Sequence, residues 1–356
     1  MPRKSRNIPK TLKELAIAEY IRDYFGQHSA FPSNEEIVDH LKVEFDEEEV
    51  GPLYPKDITN LKKGSYKLLD IKVALPRNGS LEVELRDALD LDGAVVVGSP
   101  YRTYDQGVLR NIIGYQAARF FDENVHDGQT VTFSCSMTIR EMIKMIHERY
   151  YNLKVMTDSV VAVDEFSIMS PASIAVLFLD RFPDCTATAY TIPPALVTSL
   201  GRNAVQEMLD DALFSRSFSA DWIFVGIGTL TRELGRHGVM PGFDFLTHVV
   251  TNDVGPLAQR GTVGEISYWP FDAEGLPVFR GRSEKLNYFR HVFTYSSFGV
   301  LEREHRFASA PEARRSRVVG VAGGLHKVAA IRAASRYLDY LVTDVKTAQA
   351  ILGQGR

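Results

Sequence analysis

The chain has 356 residues, of which 45% are hydrophobic and 24% charged, with a formal net charge of −4. That balance supplies core for one small and one larger domain and argues against a surface that coats nucleic acid uniformly, while a local basic patch stays open. Two cysteines, Cys135 and Cys185, form neither a disulfide framework nor a zinc-finger spacing, which fits a reducing cytoplasm. The basic start, Met1 to Asn7, is followed by no apolar segment and does not read as a secretory signal. No run approaches the roughly 18 apolar residues that suggest a membrane span.

Residues 1–77 have a grammar of their own. Leu12, Leu15, Ala16, Ala18, Tyr20, Ile21, Tyr24 and Phe25 repeat at helical spacing, and Gly26 ends the run. Pro32-Ser33-Asn34-Glu35-Glu36 then caps a short helix with Ile37, Val38 and Leu41 inward. An acidic stretch, Glu44 to Glu49, precedes Gly51-Pro52. A third helix starts near Pro55 with Ile58 and Leu61 on one face, and a strand follows from Leu68 to Leu75. Three helices and a strand in this space resemble a winged helix-turn-helix. The segment carries 13 Lys/Arg and 13 Asp/Glu, but six basic against two acidic residues fall between Pro55 and Arg77. Lys56, Thr59, Asn60, Lys62 and Lys63 are therefore the candidate DNA contacts, since phosphates supply much of the affinity for DNA. The competing reading is a solvated helical cap or dimerisation arm.

Pro76 to Ser80 is the expected linker, and residues 78–356 form the second domain. A helix is expected from Leu81 to Leu89, a strand from Ala94 to Gly98 and a helix from Leu109 to Phe121. A strand from Thr130 to Ser134 and a helix from Ile139 to Tyr150 come next. Further strands are expected at Val155 to Val163, Thr186 to Ile192, Trp222 to Ile227 and Val318 to Ala322. A helix from Val328 to Leu338 and a strand from Tyr340 to Asp344 close the chain. Near-continuous apolar strands between amphipathic helices specify an α/β fold with a Rossmann-like parallel sheet covered on both faces. Ligands on such sheets bind at the C-terminal ends of the strands.

Four strand-end loops are candidates for that role. Ser134-Cys135-Ser136-Met137-Thr138 either holds phosphate oxygens or simply caps the following helix. Gly226-Ile227-Gly228 either admits a ligand or makes a tight turn. In Gly261-Thr262-Val263-Gly264-Glu265-Ile266, Glu265 either accepts from sugar hydroxyls or is a surface charge. In Gly323-Gly324-Leu325-His326-Lys327, backbone N–H groups and Lys327 at a helix start favour an anion, unless Lys327 is an ordinary exposed lysine. The candidate effector-binding set is Ser134, Ser136, Thr138, Gly226, Gly228, Glu265, Gly323, Gly324 and Lys327. No histidine lies in a metal-binding pattern, and nucleotide-binding glycine motifs are absent. The sequence thus calls for no metal, no cofactor and no catalytic residue. Cys135 at a helix start is either a thiolate nucleophile without an identifiable base or a buried structural thiol.

Read in order, several of these segments resemble the SorC-type sugar-binding transcriptional regulators over roughly residues 80–353. The matching pieces are Pro193-Pro194-Ala195-Leu196-Val197, Ser219 to Gly228, Gly261 to Ile266 with Phe271-Asp272 and Gly275, and Val321 to Lys327 with Ala330-Ile331, Leu341 to Asp344 and Thr347-Ala348. The resemblance implies a fold related to sugar isomerase and CoA-transferase-like domains. It implies a sugar or sugar-phosphate effector, a homo-oligomer (dimer or tetramer), and an N-terminal helix-turn-helix on operator DNA. It further implies that Ser136 and Thr138 contact an effector phosphate, with Lys327 as its cation and Glu265 facing the sugar. Two departures stand out. Ser136 occupies a position where the family usually has Gly, and the acidic insertion Glu44 to Glu49 with Gly51-Pro52 stretches the helix-turn-helix. The expected function is a cytoplasmic DNA-binding regulator controlled by a sugar, sugar phosphate or related metabolite. The alternative is an isomerase- or deaminase-like enzyme using Asp164, Glu165, Asp253, Glu265 or His326.

Overall fold

The computed structural model describes residues 10–28, 32–45, 55–65, 77–98, 106–162, 170–229, 254–278, 292–295 and 315–353. The chain divides into two compact units, residues 1–74 and 75–356.

The smaller unit contains α1 (Lys10–His28), α2 (Asn34–Glu44) and α3 (Pro55–Ser65). Each helix contributes two large buried aliphatic residues one turn apart: Ile17 and Ile21, Ile37 and Leu41, Ile58 and Leu61. Together with Ala16 they form the unit's own small core. Helix α1 runs through Gly26 to His28, so that glycine is not its end. Leu12 and Leu15, part of the expected apolar repeat, are exposed. A capping box starts α2: the Glu36 N–H donates to Ser33 Oγ at 3.2 Å, and the Ser33 N–H donates to the Glu36 carboxylate at 2.7 Å. Such caps are worth about 1 kcal/mol. The expected strand from Leu68 to Leu75, and the acidic run beyond Phe45, lie outside the described residues.

In the larger unit α4 (Gly79–Leu89) leads into β1 (Gly93–Val97), α5 (Gln106–Asn124), β2 (Thr130–Phe133) and α6 (Met137–Lys144). Strands β3 (Lys154–Thr157) and β4 (Ser159–Val161), α7 (Pro171–Arg181) and β5 (Thr186–Thr188) follow. Later come β6 (Trp222–Gly226), β7 (Gly228–Thr229), β8 (Gly264–Ile266), β9 (Trp269–Phe271), β10 (Val292–Thr294) and β11 (Arg317–Val321). Helix α8 (Val328–Ala334), β12 (Tyr340–Asp344) and α9 (Val345–Leu352) finish the chain, with further short helices between β5 and β6. Seven strands form one parallel sheet in the order β1-β12-β11-β6-β2-β3-β5.

Alternation along each strand divides the core between the two faces of the sheet. Ala94, Val96, Ile223, Val225, Val318 and Leu341 pack on one side with α4, α8 and α9. Val95, Val97, Trp222, Phe224, Val319, Val321 and Val342 pack on the other with α5, α6 and α7. Both faces are sealed, which explains why the strands read as continuous apolar runs.

Three expected elements change shape. The helix expected to reach Tyr150 stops at Lys144, because Asp122 of α5 accepts the His147 and Glu148 N–H groups at 3.0 and 3.3 Å and draws the chain out of the helix. The strand expected from Val155 to Val163 breaks at Asp158. Its first half stays in the large sheet, and its second half, β4, pairs antiparallel with β10. The strand expected from Thr186 to Ile192 shrinks to Thr186–Thr188, leaving only an isolated bridge between Ala162 and Ile192. Among the described residues no helix is long and apolar enough to cross a membrane.

Phe224 is fully buried at the centre of the sheet, its ring 5.4 Å from that of Phe121 and 5.8 Å from that of Phe133. Phe224→Ala is expected to cost about 3–5 kcal/mol. Chemical denaturation followed by tryptophan fluorescence measures it, with Trp222 beside the deletion as reporter.

Candidate effector site

Sealing both faces of the sheet leaves its strand ends as the place where polar groups gather. Four adjacent segments meet there: the β2–α6 loop, the β6–β7 junction, the β8–β9 hairpin and the β11–α8 loop. Together with one face of α5 they line a cavity of about 90 Å³. That is several times the roughly 10–15 Å³ that one water requires. Ser134, Ser136, Thr138, Gly226, Gly228, Glu265, Gly323 and Lys327 all line it. Gly324 does not; its N–H donates into the protein, to Asp344 Oδ2 at 3.0 Å and Thr347 Oγ1 at 2.7 Å.

The two glycines of the β6–β7 junction serve neither a ligand nor a turn in the first instance. A Cβ on Gly226 would lie 2.3 Å from Ser136 Oγ, and one on Gly228 would lie 2.1 Å from Glu265 Oε1. The glycines make room for two protein side chains. The Gly226 N–H also donates to Ser134 Oγ at 2.8 Å, locking β2 to β6 at the cavity floor. Ser136 is the N-cap of α6 and accepts the Thr138 N–H at 3.2 Å. The expected phosphate loop is therefore capped by its own serine.

Glu265 sits opposite. Its Oε2 accepts the Tyr268 N–H at 2.9 Å across the hairpin turn. Both turn residues, Ser267 and Tyr268, have left-handed backbones, with φ of 49° and 64°. Non-glycine residues adopt that region at a cost, and such strain gathers at functional sites. The turn is held from below as well: Ser267 donates to the buried carboxylate of Asp158, which also accepts from Ser159 at 2.9 Å. Asp158 stands at the break between β3 and β4, so the expected single strand splits where it supplies this support.

Lys327, in the capping position of α8, donates from Nζ to the Ile227 carbonyl at 2.7 Å. It faces the cavity and is half-buried, so it is not an exposed lysine on a helix surface. Burial pulls its amine down to about 8; the Glu265 charge opposes that and the Arg110 charge adds to it. Burial likewise raises Glu265 to about 7, against the Tyr268 hydrogen bond and the attraction of Lys327. Asp158 is pushed up to about 6 by burial, against its serine partners. His326, also on the cavity wall, is lowered by burial and by Lys327. Burial pushes the Cys135 thiol up to about 12, and a hydrogen bond with Tyr268 only partly offsets it. A thiol held up in this way lacks the lowered pKa that activates a cysteine nucleophile, which favours the structural reading of Cys135.

Of the proposed catalytic groups, Glu265 and His326 line the cavity, while Asp164, Glu165 and Asp253 lie outside the described residues. Gln106 and Arg110 of α5, and Ser267 and Tyr268 of the turn, line the cavity but escaped the sequence reading. No local pattern marks them, because a lone arginine on an amphipathic helix looks like any other surface charge. Of the candidate DNA contacts on α3, Thr59 and Asn60 are exposed. Lys62 instead donates to Pro32 O at 3.2 Å and Asn34 Oδ1 at 3.3 Å, tying α3 to the start of α2. The side chains of Lys56 and Lys63 lie outside the described residues.

Residues 75–286 and 308–353, well over half of the chain, match the family described as "Putative sugar-binding domain". No curated protein matches significantly. Among solved structures, the full-length sorbitol operon regulator SorC from Klebsiella pneumoniae aligns with a TM-score of 0.59 at 17% identity, over 95% of this chain and 99% of that one. A DeoR family transcriptional regulator from Listeria monocytogenes aligns at 0.57 and 18%, over 76% of this chain and 98% of that one. A transcriptional regulator from Streptococcus pneumoniae aligns at 0.56 and 19%, over 77% and 96%. At these identities the likeness is one of fold.

The electrostatics of the cavity set a pH dependence. Glu265, raised from 4.5 to about 7, holds its proton more tightly folded than unfolded. Its contribution to stability is fully present below pH 4.5 and lost as pH rises through about 7. Lys327, lowered from 10.5 to about 8, has the opposite sense: its contribution is present above 10.5 and lost as pH falls through about 8. Glu265→Gln is expected to lose less thermal stability than the parent between pH 4.5 and 7. Melting curves across that range check it; parallel losses in the two proteins would contradict the assignment.

Proposed function

We infer, from the premise that this chain belongs to the sugar-binding-domain family, that it is a transcriptional regulator controlled by a sugar, sugar phosphate or related metabolite. The observation that carries this reading is the convergence of Ser134, Ser136, Gly228, Glu265 and Lys327 on one cavity inside the family-matched region. Carboxylate, hydroxyl and ammonium groups at close quarters suit a ligand dense in hydroxyls, which both donate and accept. The solved structures of the same fold are of transcriptional regulators, and the reading is of a regulator, not an enzyme.

In this reading residues 1–77 bind operator DNA and residues 78–356 bind the effector. Helix α3 presents Thr59 and Asn60 to the duplex, while Lys62 holds α3 in place instead of contacting DNA. The protein works in the cytoplasm as a homo-oligomer, a dimer or tetramer. Effector binding shifts the population between oligomer geometries with different operator affinity.

Two measurements test this. Lys327→Ala should weaken an anionic effector by roughly tenfold or more, since charged hydrogen bonds contribute about 1.5–3 kcal/mol. Because the lysine also holds the Ile227 carbonyl, effector stabilisation is read against the variant's own apo melting temperature. Unchanged thermal stabilisation by the effector in that variant would remove Lys327 from the site. Gel shift with DNA upstream of the protein's own gene should give a salt-sensitive specific complex whose midpoint moves with effector. Absence of such a complex at every effector level would sink the regulator reading.

A further inference from the structure

We infer that the effector of this cavity is a sugar acid, a polyol carrying a single carboxylate, and that Arg110 on α5 binds that carboxylate. The inference rests on the sugar-binding reading above and narrows it to one ligand class.

The argument starts from the cations. Lys327 is committed: its Nζ donates to the Ile227 carbonyl, and the Glu265 charge acts on it across the cavity. Arg110 is not. Half-buried on the cavity wall, it forms no ion pair among the described residues. It lies close enough to Lys327 for the two positive charges to oppose each other. Among the described residues one positive charge on the wall is therefore left without a counterpart, and the group that would match it is an anion.

The donors of the backbone point the same way. A phosphate carries close to two negative charges and three oxygens that each seek donors. The N–H groups that a strand-end phosphate cradle would offer at Thr138, Gly226 and Gly324 are taken by Ser136, by Ser134, and by Asp344 with Thr347. A dianion here would add one negative charge beyond what Arg110 balances, beside Glu265, and buried charge without a partner is costly. A carboxylate brings one charge and two coplanar oxygens, which the planar guanidinium fork meets with two parallel hydrogen bonds. Glu265, Ser136 and His326 remain to read the hydroxyls.

The test uses the full chain and a matched panel of aldonates, polyols and sugar phosphates of five and six carbons, by thermal shift and titration calorimetry. Aldonates should bind most tightly. Arg110→Gln should weaken the best of them by roughly tenfold or more, a much larger loss than it causes for the matched polyol. Arg110→Lys, which keeps the charge without the fork, should restore only part of the loss. The apo melting temperatures of both variants verify folding. A sugar phosphate that binds more tightly than every acid, or aldonate binding that ignores Arg110→Gln, overturns the inference and leaves sugar sensing in place. Failure of all three compound classes to bind the parent protein overturns both.

Discussion

The constraint on which the larger unit depends is the burial of its parallel sheet on both faces. Seven strands with apolar residues pointing both ways leave polar side chains nowhere to gather except the strand ends. Strands β11, β6 and β2 are consecutive in space though distant in sequence, so the loops that leave them are neighbours. The cavity is the consequence. The small β7-β8-β9 sheet brings Glu265 to the same place from a different part of the chain.

Within the cavity, close packing and electrostatics act together. Gly226 and Gly228 let Ser136 and Glu265 approach the backbone so nearly that any side chain there would collide with them. Glu265 packs against Gly228, Lys327 against the Ile227 carbonyl, and Asp158 is buried beneath the Ser267 turn. Burial then pushes the two carboxylates up and the amine down; the mutual attraction of Glu265 and Lys327, and the serine hydrogen bonds to Asp158, resist this only in part. Such a site holds its polar groups at a cost that a ligand with complementary hydrogen bonds relieves. The strained turn at Ser267 and Tyr268 persists because Asp158 and Glu265 hold it from two sides.

The smaller unit shows a different economy. Among the described residues its core holds six large aliphatic side chains, two from each helix, and its edges are held by local polar contacts. The capping box at Ser33 and the tether from Lys62 to Pro32 and Asn34 fix the start of α2 against α3. A lysine placed on α3 by a count of charges thus turns out to serve the packing of the helices.

Much of this was legible in the amino-acid sequence. Continuous apolar strands separated by amphipathic helices specified the parallel α/β sheet, and five of its strands, β1, β2, β6, β11 and β12, begin and end within a residue or two of where periodicity puts them. Glycine, serine and lysine at strand ends marked the loops that line the cavity, because ligand-facing loops follow strand ends in this architecture. What the sequence could not carry is whatever depends on partners distant along the chain. The early end of α6 is imposed by Asp122 of α5, and the break at Asp158 by pairing with β10. The purpose of Gly226 and Gly228 is set by side chains 90 and 37 positions away, Ser136 and Glu265. The place of Arg110 on the cavity wall, and the self-capping of the expected phosphate loop, are likewise decided by three-dimensional proximity. Hydrophobic periodicity is a local property and is written residue by residue; the charge balance of a cavity is a property of loops that meet only once the sheet has formed.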